Sequence, residues 1–215
     1  MKLTWMGHAC FLIEGSGVTW LTDPYDAEVG YPQKPVYADF VTMSHEHHDH
    51  NDASWVEGNP QIVRASGSGE ICGLPYRVVD TFHDEEGGSL RGGNRVFVVE
   101  MDGLRIAHLG DLGHALSPEQ LAQLGPVDVA LIPVGGTYTL DAPAAAQVAA
   151  AIGAPLTVAM HFKLPEVQLP IADVSAFLAL TGGAQLGFSA MEIDGGLAGR
   201  RTVALTPASL TAPNS

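Results

Sequence analysis

The octapeptide Ser44-His45-Glu46-His47-His48-Asp49-His50-Asn51 places four histidines within six residues, in a chain of 215 residues that has nine in all. It follows the apolar run Phe40–Met43, so it opens where a strand gives way to a loop. His45 and His47 lie two apart, which puts both imidazoles on the same side of an extended backbone. Asp49 and His50 come after the chain turns and can address a second centre. Imidazole and carboxylate suit Zn²⁺, and also Mn²⁺ or Fe²⁺. A solvated histidine-rich loop is the bland alternative, but such tracts are defined by composition and rarely carry this spacing at a strand end.

The elements that must position these groups are short. The chain has 25 Gly and 14 Pro, which implies many turns. β-like runs dominate the first half: Lys2–Met6, Cys10–Glu14, Val18–Thr22, Phe40–Ser44, Gln61–Ala65, Tyr76–Phe82, Arg95–Met101 and Leu104–Leu109. Gly15-Ser16-Gly17 and Asp102-Gly103 are hairpin signals between such runs, and Val29–Pro35 reads as a loop. Helical signals come later. Ser117-Pro118-Glu119-Gln120 is a capping box with proline at the first helical position, closed by Gly125-Pro126. Asp141 can cap an alanine-rich helix ending at Gly153, and a third helix is expected over Ile171–Leu180. Val127–Pro133 and Leu156–Met160 are apolar on both alternating faces, as strands covered on both sides are. Helices must therefore pack on sheets.

Composition narrows the function. Hydrophobic residues make up 46% and charged residues 16%, enough for a buried core in one domain spanning 1–215. Lys+Arg total 10 against 24 Asp+Glu, a formal charge of −14. Nucleic acid and anionic membranes demand a basic footprint, so neither is an expected partner; a small molecule is. No apolar stretch reaches the ~18 residues of a membrane span. Met1-Lys2 runs directly into Leu3-Thr4-Trp5-Met6 with no secretory signal. Cys10 and Cys72 belong to no CxxC and read as thiols of a reducing compartment, so a cytoplasmic location is expected.

The H-x-H-x-D-H pattern resembles that of the metallo-β-lactamase superfamily. The resemblance runs nearly end to end, through Gly7-His8-Ala9-Cys10-Phe11, Thr22-Asp23-Pro24, the His45–His50 motif, His83-Asp84-Glu85-Glu86-Gly87-Gly88, Leu109-Gly110-Asp111, Pro133-Val134-Gly135-Gly136-Thr137-Tyr138 and Met160-His161-Phe162. It is nearest to the small metal-dependent hydrolases similar to the ascorbate-phosphate lactonases. It implies a four-layer αββα sandwich with the metal site along one edge of two sheets. It also implies ligand roles: His45, His47 and His83 on a first metal, Asp49, His50 and His161 on a second, and Asp111 bridging. His83, Asp111 and His161 each end an expected strand, which is where a rigid edge site would recruit them.

The remaining histidines read differently. His108 alternates in phase with Leu104 and Ile106 and should be buried and hydrogen-bonded. His48 is an intervening motif position, expected in loop packing or around the ligands. His8 and His114 lie in motif-bearing turns, where they could support the ligands from behind or face substrate, and Tyr138 and Lys163 flank expected site loops. These four are the candidate substrate-binding residues, against the plainer alternative of turn and surface positions. Glu85 and Glu86 could orient ligands or simply be solvated.

Two divalent ions ~3.5–4 Å apart can share a hydroxide and lower its pKa towards 7. The chain has no G-x-S-x-G nucleophile motif. The expected reaction is therefore hydrolysis of a small ester, lactone, amide or phosphoester by a metal-bridging hydroxide, with Asp49 as the proton relay. Zinc-type β-lactamases usually carry cysteine where Asp111 stands. Glyoxalase II-like thioesterases carry a different third motif and a C-terminal helical domain. The superfamily's nucleases add a basic arm or an inserted domain. Two further classes remain: an iron-dependent oxidoreductase resembling persulfide dioxygenases, and a non-catalytic metal-binding protein.

Overall fold

The computed structural model describes residues 1–197 and 199–211. Two mixed sheets pack face to face. The first has six strands in the order Ala190–Glu192, Lys2–Gly7, Cys10–Gly15, Val18–Thr22, Phe40–Thr42 and Gln61–Val63. The second has eight, in the order Ala184–Gln185, Arg201–Ala204, Leu156–Met160, Val129–Pro133, Leu104–His108, Gly93–Met101, Leu74–Phe82 and Ser68–Ile71. In each sheet a run of antiparallel pairs gives way to parallel ones. The change comes at Val18–Thr22 beside Phe40–Thr42 in the first and at Leu104–His108 beside Val129–Pro133 in the second.

Alternation along the strands decides what faces what. Leu3, Trp5, Phe11, Ile13, Trp20 and Phe40 point between the sheets into the main core, with Phe97, Val99, Ile106, Leu131 and Val158 from the opposite side. Their neighbours Met6, Cys10, Leu21 and Val41 point the other way, into a smaller cluster with Tyr25, Tyr31 and Trp55. A period of two makes this division automatic. Each fully buried side chain of this size contributes about 1.5–3 kcal/mol of transfer free energy.

The helices Pro118–Leu124, Ala142–Ile152 and Ser175–Thr181 belong to the second sheet's cover. The outer face of the first sheet is covered by the aromatic loop layer, whose only helical turn among the described residues is Ala27–Val29. Ser117 accepts from the Gln120 amide, and the Gln120 side chain returns to the Ser117 amide. Asp141 caps the second helix and Gly153 ends it in the left-handed region. The third helix begins at Ser175, four residues later than the sequence led us to expect. Asp173 accepts from the Ser175 amide at 2.9 Å, and this local turn competes with helix until Val174.

The two hairpin turns foreseen in the sequence meet across the sandwich. Ser16 N and Oγ donate to Asp102 Oδ1 at 2.7 and 2.8 Å, and Asp102 N donates to Ser16 Oγ at 2.9 Å. The terminal amine lies 3.1 Å from Asp102 Oδ2. Two turns and the chain's terminal amine are thereby fastened at one end of the sheets.

His108 is fully buried and bridges the sheets. Its Nε2 donates to Ala9 O at 2.7 Å and its Nδ1 accepts from Gly110 N at 3.2 Å. Burial pushes its pKa down, consistent with the neutral ring these bonds require. His108→Ala should cost about 1–3 kcal/mol, since a cavity and an unpaired Gly110 amide remain. A lowered thermal midpoint with metal content and turnover per folded molecule retained is the expected result. Lost turnover with an unchanged melt would instead place His108 in the chemistry.

Candidate metal centre

Five chain segments converge at the other end of the sandwich, each leaving the C-terminal end of a strand. They carry His8 after Lys2–Gly7, His45–His50 after Phe40–Thr42, His83 after Leu74–Phe82, Asp111 after Leu104–His108, and His161 after Leu156–Met160. Strand C-termini are where open α/β sheets gather ligands, because the connecting turns there converge.

Asp111 lies at the middle. Its Oδ2 is 3.1 Å from His83 Nε2, 3.3 Å from His161 Nε2 and 4.0 Å from His45 Nε2, and its Oδ1 is 3.2 Å from His50 Nε2. Around it, potential donor atoms fall into two main groups: His45, His47 and His83; and His8, Asp49, His50 and His161. All seven expected ligands are thus brought together. His47 is the most exposed of them, and the others are buried or nearly so.

The polar atoms are unfinished. Among the described residues, His45 Nε2, His50 Nε2, His83 Nδ1, His161 Nδ1 and Asp111 Oδ1 are buried without a hydrogen-bond partner. Each such atom costs about 1–3 kcal/mol, and three of them, His45 Nε2, His50 Nε2 and Asp111 Oδ1, face the centre, where a bound cation would satisfy them. Electrostatics say which kind. Burial disfavours the His50 cation, yet the Asp111, Asp49 and Asp23 carboxylates overcome it and push the His50 pKa well up. That pull is one a divalent cation would answer. Burial, aided by neighbouring His50, lowers His45 to about 3, and burial with His161 lowers His8 to about 4. Burial also lowers His47. These rings are neutral near pH 7, with lone pairs available to a metal.

A layer behind the cluster orients it. Asp23, fully buried, accepts from His50 Nδ1 at 2.8 Å and Ser44 N at 2.8 Å, and also from the Ser44 hydroxyl. Ser44 Oγ in turn accepts from His45 Nδ1 at 2.9 Å. Both imidazoles are therefore held with Nε2 facing the cluster, the tautomer that metal ligation requires. Asn94 Oδ1 accepts from Asp111 N at 2.9 Å, and its Nδ2 donates to Thr81 Oγ1 and Leu109 O. Gly110 completes the turn at φ +54°. A Cβ there would sit 2.3 Å from Asn94 Oδ1 and 2.5 Å from Ser44 Cβ, so only glycine lets the two sheets approach here.

The four substrate candidates separate. His8 is buried, and its Nε2 lies 3.1 Å from Asp49 Oδ2, with its ring centroid 4.1 Å from that of His161. It belongs to the cluster rather than to a substrate surface. It sits at φ +52° and His161 at φ +53°, and the His8 carbonyl accepts from His161 N at 3.1 Å. Left-handed backbone at non-glycine residues is held only where surroundings dictate it. His114 accepts from Phe82 N at 3.1 Å and donates to Ala115 O at 2.7 Å. Both ring nitrogens are consumed by backbone, so it is a turn clamp. Lys163 donates to the Val167 carbonyl and to Leu169 O at 2.8 Å. Its ammonium fastens a loop and does not reach for substrate. Tyr138 alone faces the opening over the cluster.

That opening is a cleft of about 390 Å³ lined by His47, His48, Asp49, His83, Arg91, Asp111, Tyr138 and Leu169. A larger cleft of about 520 Å³ adjoins it, sharing His83, Arg91 and Tyr138. Of the two, the smaller is the one that reaches Asp49 and Asp111. His48 turns outward to Asp26 at 2.7 Å, and Glu85 and Glu86 are exposed on the wall of the larger cleft. Sequence reasoning missed the parts played by Asp23 and Arg91. Asp23 had a signal in the Thr22-Asp23-Pro24 match, whereas Arg91 had none.

The chain is similar to known proteins in sequence and in fold. The profile of the beta-lactamase superfamily domain matches residues 2–161. A UPF0173 metal-dependent hydrolase of Methanoculleus marisnigri is 33% identical over 185 residues, covering 75% of this chain and 81% of its own. A solved structure from Thermotoga maritima, described as a Zn-dependent hydrolase of the metallo-β-lactamase superfamily, superposes with a TM-score of 0.82. It is 37% identical, covering 95% of this chain and 97% of its own. Igni18, a metallo hydrolase of Ignicoccus hospitalis, has the same fold at 21% identity and a TM-score of 0.67, covering 96% of this chain and 95% of its own.

Proposed function

The chain belongs to the UPF0173 metal-dependent hydrolases of the metallo-β-lactamase superfamily, and from this premise we propose a binuclear enzyme that hydrolyses a small ester, lactone, amide or phosphoester. The observation that carries the proposal is Asp111, one carboxylate within 4.0 Å of imidazoles from both ligand groups. His45, His47 and His83 would hold one ion. Asp49, His50 and His161, with His8 beside them, would hold the other, and Asp111 would join the two. The donor set of imidazoles and carboxylates fits zinc, the metal named for the Thermotoga maritima relative, and accommodates manganese or iron. When bound, such a pair supplies a hydroxide near neutral pH and a Lewis acid for the developing oxyanion.

The chain's own residues do the rest. Burial would raise the Asp49 carboxyl, but His50 and the His8 hydrogen bond override it and hold it well below the usual carboxylate range. It is therefore ionised. Its Oδ2 engages His8 Nε2, and the other oxygen remains free to take and return a proton during turnover. Tyr138 and Leu169 wall the cleft. The free thiols Cys10 and Cys72 support the cytoplasmic setting expected from the sequence. Among the described residues, no helix is long and apolar enough to cross a membrane.

Elemental analysis after saturation and desalting should find about two divalent ions per chain. The same preparation should turn over members of an ester, lactone, amide and phosphoester panel. A single tightly held ion, indifferent to substitution of Asp49 and His50, would overturn the binuclear reading.

A further inference from the structure

Arg91 is the cation at the mouth of the metal cleft that no protein carboxylate neutralises. Among the described residues, the Lys and Arg side chains that reach a carboxylate are Lys2, Arg64 and Arg105. The nearby Lys163 is consumed by backbone carbonyls. Arg91 is held in place by other means. Asp84, only 3% exposed, accepts from the amides of Glu86 and Gly88 at 2.8 Å, Leu90 at 3.0 Å and Arg91 at 2.7 Å. This one carboxylate shapes the whole loop from His83 to Arg91. The guanidinium then donates one bond, from Nη2 to Thr137 O at 3.1 Å, and lies over the Tyr138 ring at 5.7 Å. A cation–π contact and a single carbonyl hold the guanidinium at the cleft and leave most of its five N–H groups unspent.

Its position is equally specific. Arg91 lines the cleft with His47, Asp49, His83 and Asp111, and also lines the larger cleft beside it and the opening beside His45, His47 and Arg95. In a chain of charge −14, a preorganised guanidinium at that junction has one evident use. We propose that Arg91, set over the Tyr138 ring, is the substrate-anion clamp of this enzyme: the substrate carries a carboxylate or phosphate beyond its scissile bond, held bidentately by Arg91 while that bond lies over the cluster. The planar fork matches both anions. The clamp rests on the hydrolase reading for its reaction, but not for its binding.

The test pairs substrates of one ester or lactone scaffold, neutral or bearing a carboxylate or phosphate, on metal-loaded wild type, Arg91→Lys, Arg91→Gln and the remote control Arg200→Gln. Wild type should favour the anionic members by about 10–100-fold in kcat/KM, mainly through KM, as expected for charge-assisted bonds. Arg91→Gln should collapse that ratio towards one at unchanged metal content. Arg91→Lys should keep part of it, and Arg200→Gln all of it. The anion arm that carries the ratio identifies the group. A ratio near one in wild type, or one untouched in Arg91→Gln, overturns the clamp. A second arm needs no turnover: calorimetric titration of metal-loaded protein with succinate against propionate. A preference for succinate that Arg91→Gln removes upholds the clamp even if no panel member is hydrolysed, an outcome that would sink the hydrolase reading alone. Equal succinate binding by wild type and Arg91→Gln overturns it.

Discussion

Asp49→Asn should leave a folded protein that holds its second ion weakly and turns over 10²- to 10⁴-fold more slowly, about the range for loss of a general acid–base group. Asparagine preserves the shape and can keep a contact with His8 Nε2, 3.1 Å from the present carboxylate. It loses the negative charge that the second group contributes to a cation and the basicity that lets the side chain accept a proton. Asp49 is partly exposed at the cleft, so no core is disturbed. Thermal midpoint, metal content and kcat measured on one preparation separate these effects. Wild-type turnover in this variant would remove Asp49 from the proton relay. Loss of both ions would mean that the two groups load as one.

Asp23→Ala should be the more damaging change to the fold, costing about 3–5 kcal/mol, because it strips a buried carboxylate from partners that stay behind. Ser44 N, the Ser44 hydroxyl and His50 Nδ1 all donate to Asp23, and none can turn to solvent. Asparagine is no rescue, since its amide presents donors to donors. Burial raises the Asp23 carboxyl, but His108 and His50 more than offset it and the net shift is downward. Its contribution is therefore present at neutral pH and lost as pH falls below the ordinary carboxylate range. Urea denaturation of Asp23→Ala and Asp23→Asn measures the cost, and a variant as stable as wild type would refute this role. Metal affinity should fall with it, as His50 and the Ser44–His45 pair lose the anchor that aims Nε2 inward.

The candidate metal ligands were readable because they are of rare type, crowd one octapeptide, and end strands whose apolar alternation is clear. What lay behind them was not. Asp23 looks like a turn residue before Pro24, and its role appears only when the chain folds Ser44 and His50 back over it. His114 and Lys163 looked available for substrate, yet backbone carbonyls and amides, which carry no sequence signature, had already taken their polar atoms. For His8 the sequence left open a place behind the ligands or one facing substrate, and only the left-handed backbone that aims it at Asp49 decides between them. Arg91 owes its place to a loop nucleated by Asp84, an arrangement invisible to hydrophobic periodicity. The strands Ser68–Ile71, Ala184–Gln185, Ala190–Glu192 and Arg201–Ala204 escaped notice for a plainer reason: they are short, mostly at sheet edges, and largely exposed, so no apolar alternation marks them.

The turns Ser16–Gly17 and Asp102–Gly103 fasten the two sheets at one end with bonds the chain makes by itself. At the opposite end direct bonds such as His161 N to His8 O join the sheets, and His8 and His45–His50 from one face His83, Asp111 and His161 from the other, groups that would be drawn together further by a cation. The sandwich is thus a book bound along one edge and clasped along the other. Opening the clasp does not unbind the book: metal loss should release one rim as a cooperative unit of its own, with amide exchange rising there first and the far hairpins still protected. Loading then adds stability in proportion to RT ln(1 + [M]/Kd), about 4 kcal/mol when free metal exceeds Kd a thousandfold, and all of it is delivered to the rim that performs the chemistry.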